Sequence, residues 1–182
     1  MSVNSQPSTP NAATVWSWLE AVCDPEIPVV NLREMGILRD VRIVADEVQV
    51  HLTPTYSGCP ALSQMQTDVL EQLQQHGVKA RVVLQLSPAW TTDWMTDAAR
   101  DKLRDYGIAP PGRCQQPTPG QGSLAVVHLV RQLRDEDEDE AVPCPRCGST
   151  HTQQTSVFGS TACKSLHRCL SCHEPFDHFK AI

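Results

Sequence analysis

Cys144-Pro145-Arg146-Cys147-Gly148 and Cys169-Leu170-Ser171-Cys172 decide how the end of this chain folds. Together they read C-x2-C twice, with 21 residues between the pairs. A C-x2-C turn aims two sulfurs at one point, and two such turns close a tetrahedron of thiolates. That donor set suits zinc or a single iron and leaves no open position for a substrate. Residues 142–182 are therefore expected to form a metal-stapled, zinc-ribbon-like β domain, since so short a piece buries too little apolar surface to hold itself together. Phe176 and Phe179 are expected to pack behind the knuckles. Cys163 lies outside both pairs, in Phe158-Gly159-Ser160-Thr161-Ala162-Cys163-Lys164. Either it packs near the site, or it is a thiol beside the metal with Lys164 to stabilise the thiolate. His151, His167, His173 and His178 are spare ligands, more simply read as surface or outer-layer histidines.

Working back from the ribbon, Asp135 to Glu140 is an unbroken run of six carboxylates. It accounts for the whole formal charge of −6: the other fifteen acidic residues balance fifteen basic ones. So even a balance gives no electrostatic footprint for nucleic acid. The run reads as a solvated linker, or as a docking tail for a basic partner. Upstream, 109–122 holds four prolines and three glycines, which is linker composition. Leu124 to Leu129 reads as one further strand. The linker as a whole is placed at 109–141.

The remainder, 13–108, reads as a small α+β domain, preceded by a disordered N-terminus, 1–12. A short helix starts at Asn11 or Thr14 and presents Val15, Trp18, Leu19 and Val22 on one face. Asp24-Pro25-Glu26-Ile27-Pro28 breaks it. Val41–Val44 and Val48–Leu52 alternate around Ala45-Asp46-Glu47 as a hairpin. A second helix runs from about Pro60 to His76 with Leu62, Met65, Val69 and Leu73 inward, and Gly77 closes it. Ala80–Leu86 is a third strand. A third helix covers roughly Asp93 to Tyr106, with Ala99, Leu103 and Tyr106 inward. The order gives a three-stranded sheet covered by helices. The N-terminus lacks the apolar region of a secretory signal, and no run is long enough for a membrane span. Eight cysteines in such a chain read as reduced thiols in the cytoplasm rather than a disulfide framework.

The chemistry of this domain centres on Cys59, in Thr53-Pro54-Thr55-Tyr56-Ser57-Gly58-Cys59-Pro60-Ala61. If Pro60 opens the helix, Cys59 is its N-cap, and the open amides and helix dipole favour thiolate there. Cys59 is then a ligand for a metal or cluster, or a nucleophile; the plainer alternative is a small buried hydrophobe. No base is well placed for a protease-like set, since His76 is at the far end of the helix and the direction of His51 is open. Asp24 and Glu26, held by prolines, either bind a metal or cap the neighbouring turn. Cys23 and Cys114 read as ordinary thiols.

These stretches resemble known families. Asp24-Pro25-Glu26-Ile27-Pro28, the hairpin, Thr53 to Ala61 and Pro88-Ala89-Trp90-Thr91 resemble the metal–sulfur cluster assembly domain of iron–sulfur maturation factors, whose hallmark positions fall on Asp24, Glu26 and Cys59. The tail, from Cys144 through Phe158–Lys164 to Glu174-Pro175-Phe176, resembles the PaaD (PaaJ) family of phenylacetyl-CoA epoxidase subunits. The resemblance covers about 14–182 and implies an accessory protein of aerobic phenylacetate degradation with no catalytic residues of its own. It would help deliver an iron–sulfur cluster or iron to the reductase or the di-iron oxygenase, with Cys59, Asp24, Glu26 and Cys163 handling the cargo and zinc in the ribbon. The rival reading is a structural subunit, or a rubredoxin-like electron carrier with a single iron. Neither reading calls for nucleic acid or a membrane; the oligomeric state is left open.

Overall fold

The computed structural model describes residues 10–112 and 141–182. The expected strand at Leu124–Leu129, the acidic run, Cys114 and most of the expected disordered terminus and linker lie outside the described residues. The described residues divide into two compact units, 10–106 with Ile182, and 107–112 with 141–181.

In the first unit, α1 (Ala12–Leu19) is capped by Asn11, whose side chain accepts from Thr14 N at 2.8 Å. β1 (Leu38–Val44) and β2 (Glu47–Leu52) pair antiparallel. α2 (Leu62–Gln75) carries the chain to β3 (Ala80–Leu84), which pairs with β2 in parallel. The sheet order is β1-β2-β3, so β2 is central. Its Val48, Val50 and Leu52 are fully buried, as are Val15 and Leu19 of α1 and Val69 and Leu73 of α2. These apolar stripes form one core, and each such side chain taken out of water contributes roughly 1.5–3 kcal/mol.

Several details around the helices differ from the sequence expectation. α2 starts at Leu62 with Ala61 as its N-cap, so Cys59 is not the capping residue. Thr92–Trp94 is a separate 3-10 turn, and α3 spans Asp97–Tyr106, with Thr96 Oγ1 accepting from Ala99 N at 3.1 Å. Tyr106 points outward, 51 % exposed, because the apolar stripe of α3 ends at Ala99 and Leu103.

The segment between α1 and β1 has no regular structure yet supplies much of the core. Ile27, Val30, Leu32, Met35 and Ile37 are all buried, and turn-forming bonds such as Asp24 N to Val30 O (2.9 Å) and Leu32 N to Val22 O (3.0 Å) satisfy its backbone. Cys23 is in this segment, bridged to Asn31, rather than on the helix. Gly36 has φ +70°, and a Cβ there would meet Trp94 Cβ at 2.7 Å and the Trp94 carbonyl oxygen at 2.8 Å. Trp90 is buried and donates from Nε1 to Met35 O at 3.0 Å.

The second unit is a four-stranded sheet of order β4-β7-β6-β5: β4 (Ile108–Ala109), β5 (Thr152–Ser156), β6 (Lys164–Cys169) and β7 (Pro175–Phe179). β5–β6 and β6–β7 are antiparallel, and β4 lies parallel to β7. Residues 108 and 109, expected at the junction of domain and linker, are thus an edge strand of the ribbon sheet.

Candidate metal centre and the Cys59 loop

Two turns build the centre. In Cys144–Ser149, Gly148 takes φ +73°, a conformation that costs glycine nothing, and bonds back from its amide to Cys144 O at 2.9 Å. The second turn, Cys169–Glu174, sits at the end of β6. The Sγ atoms of Cys144, Cys147, Cys169 and Cys172 all lie within 4.8 Å of one another. Cys144 and Cys172 are 3.8 Å apart, and Cys147 and Cys169 3.6 Å. A tetrahedral centre with metal–sulfur bonds of about 2.3 Å requires sulfur–sulfur edges of roughly 3.8 Å, so the donor set and spacing fit one zinc or one iron. Among the described residues no other group of three or more His, Cys, Asp or Glu side chains is close enough to share an ion.

Cys144 and Cys169 are buried and Cys147 and Cys172 exposed, so the tetrahedron has one edge in the core and one toward solvent. Ala109, Phe176 and Val142 pack on the buried edge. Phe179 is buried too, but strand alternation puts it on the other face of β7 from Phe176, beside Lys164 in register. The metal-free sulfurs differ in basicity. The Cys172 amide, with that of Ser171, draws the Cys169 thiol down to about 6. For Cys172 the Glu174 amide pulls downward but is outweighed by lost hydration and by the neighbouring sulfurs, which push it up to about 12.

Cys163 is buried just before β6, with Thr161 Oγ1 at 3.1 Å from its Sγ. Lys164, offered as one possible partner of that thiol, is buried and pairs with Asp177 at 3.8 Å. Ser165 Oγ lies 3.0 Å from His167 Nε2 and 3.5 Å from His178 Nδ1. Burial, then the neighbouring His167, lowers the His178 pKa to about 4.

In the first unit, Cys59 is half-buried in the β2–α2 connection. Its amide donates to Tyr56 O at 3.2 Å, and its carbonyl accepts from Leu62 N at 3.3 Å, so it belongs to the turn that precedes α2. Asp24 is buried, and its Oδ1 accepts from Glu26 N at 2.8 Å and Ile27 N at 3.0 Å. It therefore caps the turn. Asp24 also lines a cleft of about 340 Å³ with Cys23, Asp68 and Glu71; neither Cys59 nor Glu26 lines it. Two residues stand at the head of the Cys59 loop: His51, whose direction the sequence left open, and Thr53, which sequence reasoning gave no role. Thr53, 1 % exposed, and His51, 9 % exposed, have Oγ1 and Nε2 buried without a hydrogen-bond partner. His51 is in β2, and Thr53 directly follows the strand. A buried polar atom left unbonded costs about 1–3 kcal/mol.

Comparison with known proteins places both units. Residues 12–83 match the family described as iron-sulfur cluster assembly protein. Residues 130–180 match the PaaD zinc beta ribbon domain. The chain is 44 % identical over 174 residues to a protein of Escherichia coli (strain K12) described as a putative subunit of 1,2-phenylacetyl-CoA epoxidase, covering 95 % of this chain and 94 % of that one. The chain belongs to the PaaD family of phenylacetyl-CoA epoxidase subunits. Among solved structures, a DUF59 domain of unknown function from Bacillus anthracis is similar at 27 % identity and TM-score 0.47, over 50 % of this chain and 90 % of that one. The conserved hypothetical protein TM0487 from Thermotoga maritima is similar at 26 % identity and TM-score 0.46, over 54 % and 98 %. In this PaaD-family chain the Cys59 loop falls inside the assembly-protein match, and all four clustered cysteines fall inside the ribbon match. No helix among the described residues is long and apolar enough to cross a membrane.

Proposed function

We propose that this protein is an accessory maturation factor of a phenylacetyl-CoA epoxidase: it assists delivery of an iron–sulfur cluster or iron to the reductase or to the di-iron oxygenase. The observation that carries the reading is Cys59, half-buried in the loop between β2 and α2 within the stretch that matches iron-sulfur cluster assembly proteins. Cys59 holds the cargo as thiolate. Asp24, which caps the turn after α1, and Glu26 assist in handling it, and Cys163 in the ribbon is a second thiol for the cargo. The ribbon metal is zinc and structural, which a closed tetrathiolate favours.

Replacing Cys59 with serine tests this. The variant is expected to keep the circular dichroism and melting of the parent while cells carrying it lose phenylacetyl-CoA epoxidation. Full epoxidation with the variant overturns the proposal.

One observation favours a second reading, a rubredoxin-like electron carrier. The Cys172 amide donates to Cys169 Sγ at 3.4 Å, and amide-to-sulfur bonds tune iron–thiolate potentials. Metal analysis of protein purified with and without air separates the two. One zinc per chain and no iron supports the structural ribbon; red protein with one iron supports the carrier.

A further inference from the structure

The two knuckles repeat one another position by position, Cys144-Pro145-Arg146-Cys147-Gly148-Ser149 against Cys169-Leu170-Ser171-Cys172-His173-Glu174. In each, the first amide bonds to the sixth carbonyl: Cys144 N to Ser149 O and Cys169 N to Glu174 O, both 2.9 Å. In each the fifth residue has positive φ, Gly148 at +73° and His173 at +65°. In each the first cysteine is buried and the fourth exposed. The first sulfur of each knuckle meets the fourth sulfur of the other, at 3.8 and 3.6 Å. The turns are therefore related by a local twofold through the metal position.

The same twofold brings the third residue of each knuckle to the sixth of the other, and a side-chain pair fills both crossings. Ser171 and Ser149 are joined Oγ to Oγ at 2.8 Å. Arg146 reaches Glu174 at 3.4 Å. Ser149 follows Cys147 by two positions and Ser171 precedes Cys172 by one, so the serine pair flanks the solvent-facing edge of the tetrahedron. Ser149 is itself fixed, since its Oγ accepts from His151 N at 3.1 Å.

We propose that these crossed pairs are clasps that set how long the ribbon keeps its metal, with Ser149–Ser171 the principal one. A competing ligand replaces the sulfurs only as the knuckles part along the exposed edge, and the clasps tie the knuckles together there without touching the metal. Residues outside the ligand set that hold ligands in place tune metal affinity in this way. The Arg146–Glu174 pair contributes less, because an exposed ion pair at this distance is screened by water and salt. The inference rests on the four cysteines holding a metal.

The test is zinc release from the full-length, zinc-loaded protein into excess chelator, followed with a colorimetric zinc indicator. Ser149→Ala and Ser171→Ala are each expected to release zinc roughly three- to tenfold faster, the range one neutral hydrogen bond supports. The double variant is expected to be no faster than the faster single variant, since removing one partner already breaks the pair. Ser171→Thr, which keeps the hydroxyl, should restore the parent rate. Cobalt-substituted variants should keep the absorption of a four-thiolate site. Parent-like release in both alanine variants, or effects that multiply in the double variant, overturns the clasp. A parent protein that takes up no zinc overturns the metal-binding reading as well, so the two failures are distinguishable.

Discussion

Trp94 packs where a side chain at Gly36 would stand, and the glycine holds φ +70°. Gly36→Ala therefore meets both a backbone penalty of roughly 1–2 kcal/mol and a collision with the Trp94 carbonyl. A loss of more than about 2 kcal/mol in urea unfolding is expected. Nothing in the neighbouring residues announced this, because the constraint comes from a side chain 58 positions away. The four ribbon cysteines were legible because their spacing is local and each knuckle closes on itself. Cys59 was legible as a loop thiol but not in its detail: Pro60 and Ala61 form a turn before the helix begins, and proline suits both settings. His51 and Thr53 were not legible, since burial of a strand's second face depends on what covers it.

At the scale of elements, period decided what could be foreseen. α2 was read from Leu62, Met65, Val69 and Leu73; the last three are its buried residues, and Leu62, at its first position, is only half-buried. Leu73→Ala there should cost about 2–5 kcal/mol in denaturant unfolding. The hairpin followed from alternation, though β1 begins at Leu38 rather than Val41, and β3 ends at Leu84 rather than at the expected Leu86. The segment from Ile27 to Ile37 has no period, so its part in the core could not be read, and the start of α3 was misplaced because Asp93 and Asp97 both offer an acidic first turn. In the ribbon, His178 on β7 carries a testable pH dependence. Its pKa falls from an ordinary 6.5 to about 4 on folding, so between those values the unfolded chain binds the extra proton. Its contribution to stability is therefore present above about pH 6.5 and is lost as pH falls toward 4. His178→Gln should flatten that part of the stability–pH curve of the metal-loaded protein. Comparison with the parent separates it from the acid sensitivity of the cysteines themselves. A curve of unchanged slope would show that the imidazole is not held neutral.

Across the whole chain, the two units differ in what stabilises them. The first has an apolar core drawn from its three helices and the sheet. The second has a small cluster of Ala109, Cys144, Cys169 and Phe176, too little to fold without a staple. Stripping the metal with a chelator should melt the ribbon and leave the first unit folded, visible by hydrogen exchange as loss of protection in 144–179 alone. Proline and glycine content set the linker apart and a resemblance suggested the assembly domain, but the place of Ile108–Ala109 in the ribbon sheet could not be read: a two-residue strand carries no pattern. The maturation reading itself turns on Cys59, and the most direct measurement is the iron and acid-labile sulfide carried by the epoxidase reductase. That reductase should be purified from cells with the parent protein, without it, and with Cys59→Ser. The account predicts full cluster content only with the parent; equal content in all three preparations would contradict it.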